Sequence, residues 1–182
     1  MKTTKLMTAA SMAIFCVGVA GSVLADSKAE IDADVISTMQ KFDAMSTSHK
    51  ALGGKATGML IFPHVTKGGL GVAGEYGEGV LRVNGKTVDY YSVGSASVGL
   101  TAGIGRHSEI IMFMTKDSLD KFIQSKGWSI GADAGITVVK QGDSSEYGSM
   151  TQQKPILGFL FAEKGLLGDL SLEGSKITKI KN

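Results

Sequence analysis

Between Gly58 and Gly105 glycine recurs at short intervals among valine, leucine, isoleucine and tyrosine, in GMLIFPHVTKGGLGVAGEYGEGVLRVNGKTVDYY followed by SVGSASVGLTAGIG. A helix tolerates this poorly, because each interior glycine costs roughly 1 kcal/mol relative to alanine. The intervening residues are β-formers, and Val83-Asn84-Gly85-Lys86 carries the Asn-Gly pair of a type I′ hairpin. Glycine inside a strand marks a bulge, a bend or a close backbone approach. The stretch is therefore expected to form a strongly curved antiparallel sheet, with Gly71 and Gly99 among its bends or contacts, and the rest of the chain packed against it.

Two nucleotide-binding patterns in this stretch fail on context. Gly69 to Gly74 spells GxGxxG, which binds a pyrophosphate only where a strand turns into a helix. Here Glu75-Tyr76-Gly77-Glu78-Gly79 follows, and that run does not propagate a helix. Gly79 with Gly85-Lys86-Thr87 is one residue too long for a P-loop, and the hairpin accounts for its Gly-Lys pair.

The chain begins like an export signal. Lys2 and Lys5 precede an uncharged run from Leu6 to Ala25, and Val23 and Ala25 supply small residues at −3 and −1. Cleavage after Ala25 leaves residues 26–182, one ordinary domain with length enough for a core. The alternative is retention as an anchor, but Ala, Ser, Thr and Gly dilute the run. Cys16, the one cysteine, lies inside the signal behind Phe15, which is too large for a lipoprotein site. The mature chain would then have no disulfide, thiolate nucleophile or cysteine metal site. Lys2 and Lys5 are two of the 19 basic residues, so 17 remain against 17 acidic ones. A neutral chain argues against nucleic acid as partner and leaves anion binding to local clusters.

Taken in order, residues 26–46 read as a helix, with Ile31, Val35, Met39, Phe42 and Met45 in one stripe and an acidic opposite face. Residues 44–74 lack any acid and hold His49, Lys50, Lys55, His64 and Lys67, with Gly53-Gly54 as a break. Two readings compete here, a cationic surface patch and a solvated loop. Ile110 to Met114 reads as a strand buried on both faces, and Thr115 caps a short helix from Lys116 to Ser125. Ser118 to Lys121 matches SxxK without the companion motifs of that hydrolase class. Trp128 to Val138 alternates as one strand, the polar residues 141–154 read as a long loop or loose hairpin, and Ile156 to Phe161 reads as another buried strand. The expected fold is α+β: a curved, mainly antiparallel, Gly-rich sheet, barrel- or sandwich-like, with an N-terminal helix and one short internal helix.

The segments KATGMLIFPHVTKGGLGVAGEYGEGVL, SEIIMFMTKDSLDKF, KGWSIGADAGITVV and GLLGDLSLEGSKITKI resemble the SYLF domain, and span about residues 50–180. That family occurs in yeast actin-patch proteins, in a vertebrate phosphoinositide-binding protein and in many bacterial exported proteins. The resemblance implies a single SYLF-like domain over 26–182 and a lipid-binding module, with actin binding known for eukaryotic members. Eukaryotic members are attributed membrane binding through an amphipathic N-terminal helix, whereas the corresponding helix here has an acidic polar face. An exported, periplasmic or secreted protein would not meet actin, so actin enters by family analogy alone.

The function expected is a non-catalytic exported module that contacts anionic phospholipid headgroups through Lys50, Lys55 and Lys67, with Lys176, Lys179 and Lys181 as a second candidate set. The alternative is an envelope structural or protein-interaction domain that uses an exposed sheet edge. Enzyme chemistry comes third. His49, His64 and His107 lack HxxxH spacing, so no metal or other cofactor is expected. Glu75, Glu78 and Asp133 would serve as catalytic carboxylates only if folding gathers them.

Overall fold

The computed structural model describes residues 27–131, 135–140, 154–162, 172 and 174–181. The expected export signal lies outside these residues, as does the stretch 141–154 expected as a polar loop or loose hairpin, apart from Lys154. Helix α1, Lys28–Met45, starts at a capping box. The Ser27 amide donates to Glu30 Oε2 at 2.9 Å while the Glu30 amide donates to the Ser27 hydroxyl at 3.3 Å, satisfying two donors that the first turn leaves open. Its buried stripe is Ile31, Val35, Thr38 and Phe42. A second helix, α2, Thr47–Lys55, follows at once and runs through Gly53-Gly54, where the sequence suggested a break. The Ser46 cap and the burial of His49 and Leu52 offset the helix penalty of the two glycines.

The glycine-rich stretch forms one long ribbon of two antiparallel strands, β1, Gly58–Val83, and β2, Lys86–Phe113. Asn84 and Gly85 turn it with φ of 51° and 74°, as a type I′ turn requires. Pairing runs from Gly58↔Phe113 to Val83↔Lys86 but breaks between Phe62 and Val65 and again between Leu70 and Val72. The second break passes from Leu70↔Ala102 to Val72↔Val98, so Gly71 and Gly99 lie within it. Here β1 bends so sharply that a Cβ on Gly69 would stand 2.1 Å from the Val72 carbonyl oxygen. Beyond the bend β1 crosses its own first half. A Cβ on Gly79 would meet Ile61 O at 2.1 Å and Phe62 Cδ1 at 2.6 Å, so the crossing needs a residue without one.

The other described elements are helix α3, Lys116–Gln124, and strands β3, Trp128–Ser129, β4, Thr137–Lys140, β5, Ile156–Ala162, and β6, Lys176–Lys179. The sheet order is β3-β6-β2-β5-β4, with β1 on β2. One end of β2, residues 107–113, pairs with β5 while its other end, 91–94, pairs with β6. Among the described strands all pairs are antiparallel except β4 with β5. The stretch expected as one strand over 128–138 is instead divided. Trp128–Ser129 joins β6 and Thr137–Lys140 joins β5, at opposite ends of the sheet. Gly131, at φ 92°, lies between them.

Two cores result. Inside the curl, Leu60, Phe62, Ile111 and Phe113 meet Leu81, Tyr91, Val93 and Ile177 from the other half of the ribbon and β6. Leu119 and Phe122 of α3 and Trp128 close this core, with Phe122 against Phe113 at 4.9 Å between ring centroids. On the outer face, α1 and α2 cover Ile61, Val80, Ile110, Met112, Leu157 and Phe159. The fold is α+β with a curled, β-rich sheet.

Candidate functional site

Lys50 and Lys55 are exposed on α2. Lys176 and Lys179 are exposed on β6, Lys181 just beyond it, and Lys179 Nζ lies 2.7 Å from Asp89 Oδ1. These are two sets on separate elements. Lys67 belongs to neither. It is 8% exposed and its Nζ lies 3.3 Å from Glu75 Oε1, so it faces the protein interior rather than a headgroup. The cause is the irregularity after Phe62. Leu60 and Phe62 face the inner core, the ladder slips at Pro63-His64, and Val65 and Lys67 then take the inward positions. The Ser108 hydroxyl donates to the Pro63 carbonyl at 2.7 Å and so satisfies the slipped backbone.

Lys67 is one of five polar residues that form a layer inside the curl. The Ser95 hydroxyl donates to Glu75 Oε2 at 3.0 Å, on the side of the carboxylate away from Lys67. His107 Nε2 lies 2.8 Å from Glu109 Oε1. Glu109 is 1% exposed, and its Oε2 has no hydrogen-bond partner. Strand alternation places them together: His107 and Glu109 share a face of β2 with Ile111 and Phe113, and Ser95 shares one with Val93. Burial pushes the Glu109 carboxyl up, the His107 contact opposes this, and the Glu75 charge adds to it. The Lys67–Glu75 pair bridges the two sides of the bend at Gly69, which ties the charge layer to the shape of the ribbon.

The remaining candidates do not converge. Glu78 accepts from the Tyr76 hydroxyl at 2.6 Å on the outer face, while Glu75 points inward, and Asp133 lies outside the described residues. His49 packs on Phe42 and Phe159, with Nδ1 2.7 Å from the Ser46 hydroxyl. Burial lowers its pKa, with the Asp43 charge opposing. His64 Nε2 lies 3.3 Å from Asp34 Oδ2. Among the described residues no group of three His, Cys, Asp or Glu is placed to hold a metal ion.

The acidic face of α1 has a structural use that its helical pattern does not reveal. Asp32 accepts from the Thr87 hydroxyl at 2.9 Å and the Tyr90 hydroxyl at 2.8 Å, while Lys28 sits 5.0 Å from the Tyr90 ring centroid. Together with Asp34 and His64 these contacts fasten the helix to the ribbon. Among the described residues no helix is long and apolar enough to cross a membrane.

Residues 94–182, which run from mid-β2 to the end of the chain, match the family model Ysc84, described as a Las17-binding protein actin regulator. No curated protein matches the chain.

Proposed function

We propose that the protein is an exported, non-catalytic lipid-binding module that contacts anionic headgroups, a reading that starts from the match of residues 94–182 to the Ysc84 (SYLF) family. The observation that carries this reading is the exposure of Lys50 and Lys55 on α2, inside a stretch, 44–74, without any acidic residue. Lysines near an anionic surface contribute about 1 kcal/mol each. With Lys67 turned inward, the headgroup contact of this stretch rests on two lysines rather than three. Actin regulation, the role in the matched family's description, would require the protein to meet actin, which a protein exported as proposed would not do. Export itself is tested by the N-terminus of the processed protein, expected at Asp26.

Replacing Lys50 and Lys55 by Gln is expected to remove about 2 kcal/mol of vesicle binding, roughly a thirtyfold loss. The assay is co-sedimentation with phosphatidylglycerol-containing vesicles, where wild-type binding should fall with salt. Lys116→Gln with Lys121→Gln serves as control, since both lysines are exposed and paired with Asp120 and Asp117. Equal losses in both variants would refute a specific α2 contact. The second reading, protein binding through a sheet edge, draws support from the position of β4 at the end of the sheet order among the described strands. Binding that ignores both salt and lipid charge would favour it.

A further inference from the structure

Two large aliphatic side chains are exposed on the ribbon, one on each side of its bend. Ile104 is 83% exposed and Val72 61% exposed, and both sit at the bend where β1 and β2 turn over together. Ile104 pairs with Gly68 and Val72 with Val98. The sequence around them is the most charge-poor part of the described chain: neither 68–74 nor 90–105 contains a charged residue. The charges that flank the bend on β1 are turned inward, as the Lys67–Glu75 pair. On β2 the first charge is Arg106, two residues beyond Ile104 on the same face, exposed and opposite Thr66. Tyr76, four residues beyond Val72, is also exposed, and its hydroxyl is bound to Glu78.

We propose that this bend is the membrane-entering element: Ile104 and Val72 pass the headgroups to the acyl boundary while the Arg106 guanidinium meets a lipid phosphate. The proposal rests on the lipid-binding reading and locates the apolar half of the contact, which the lysines of α2 do not supply. An uncharged tip behind a cation fits an interface that is apolar within and anionic at its rim. Arginine suits that rim because its planar fork matches phosphate oxygens. A second copy of the chain, or a protein partner, fits less well. Specific protein interfaces bury about 1,200–2,000 Å² in total, far beyond what two aliphatic side chains offer. A shallow insertion needs no such area, because each aliphatic side chain that leaves water contributes by itself.

The test uses the protein as processed after export, residues 26–182, which has no cysteine of its own, with a single environment-sensitive nitrobenzoxadiazole label at Ile104→Cys. Vesicles of phosphatidylcholine with one quarter phosphatidylglycerol are added, with or without nitroxide-bearing lipid. The label should shift to the blue and be quenched by the nitroxide lipid. The same label at Val88→Cys, an exposed site near the hairpin turn, should keep its aqueous spectrum. The double variant Ile104→Asp, Val72→Asp should lose about a hundredfold in vesicle affinity, taking roughly tenfold for each side chain. Its melting temperature should hold, since both positions are exposed. Vesicle binding with the Ile104 label still in water would overturn the tip and leave the lysine contact standing. Absence of any vesicle binding would overturn both readings. A blue shift without vesicles that grows with protein concentration would mean that the tip docks on a second copy, and would overturn the membrane assignment.

Discussion

Gly79→Ala tests whether the crossing of β1 over itself is what organises the fold. The added Cβ would stand 2.1 Å from Ile61 O, 2.6 Å from Phe62 Cδ1 and 2.8 Å from Ile61 C, where ordinary van der Waals contact begins at 3.4 Å. Two of these three atoms are backbone. Ile61 is fully buried and held in the ladder opposite Ile110, and Phe62 is fully buried in the inner core. Relief therefore requires moving a paired strand rather than rotating a side chain. Overpacking of this kind costs about 3 kcal/mol, at the upper end of its usual range. For a domain of this size that lowers the melting temperature by on the order of 6–12 °C. Gly74→Ala is the matched control, because it lies in the same strand and its Cβ would approach nothing closer than Ser95 O at 3.8 Å. It should stay within about 0.5 kcal/mol of wild type. Calorimetry or urea unfolding reads both. If Gly79→Ala melts with wild type, or if the two variants lose stability equally, the close crossing is not what the glycine serves.

Lys67→Met should cost about 3 kcal/mol or more by urea denaturation, because it strands the buried Glu75 carboxylate, whereas Lys50→Met should be within about 0.5 kcal/mol of wild type; a mild Lys67 variant would place that side chain back at the surface. Glu109 has a raised folded pKa, so its contribution to stability is full below the unfolded value of 4.5 and is lost as pH rises through the folded value. Glu109→Gln should therefore gain on wild type as pH rises through that window, and parallel stability curves for the two proteins would contradict this. Asp32→Ala should cost about 2 kcal/mol through two lost charged hydrogen bonds and increase cleavage of α1 in limited proteolysis. The Tyr90 phenol, raised chiefly by its hydrogen bond to Asp32, should return toward 10 in an ultraviolet titration of the same variant.

What the sequence determined by itself is what depends on neighbouring residues. Asn84-Gly85 specifies its turn because a type I′ turn needs positive φ at both positions, and α3 begins at Thr115 because the hydroxyl accepts from the Ser118 amide. The stripe of α1 and the run Ile156 to Phe161 likewise announce buried elements through their own periodicity. Helix α2 was not legible, since Gly53-Gly54 reads as a break until Leu52 and His49 have a surface to pack on. Nor was the division of 128–138, because alternation names the two faces of a strand but not its partner.

Only the tertiary structure decided the fate of the charges. Lys67 and Glu75 are eight positions apart in a local pattern that leaves both free to face water. A one-residue slip at Pro63-His64 reverses the face on which Lys67 falls, and the bend at Gly69 then brings Glu75 to it. His107 and Glu109 could have been placed inside by counting back in twos from Ile111, but which groups they meet there depends on the folding over of the ribbon. Gly79 carries the same lesson. Its residue type limits the strand to something curved, while the reason for it, the Ile61 carbonyl, belongs to a segment eighteen residues earlier that only chain reversal brings near. Short-range sterics and hydrogen bonding set the elements, and the closing of one strand upon itself set what they enclose.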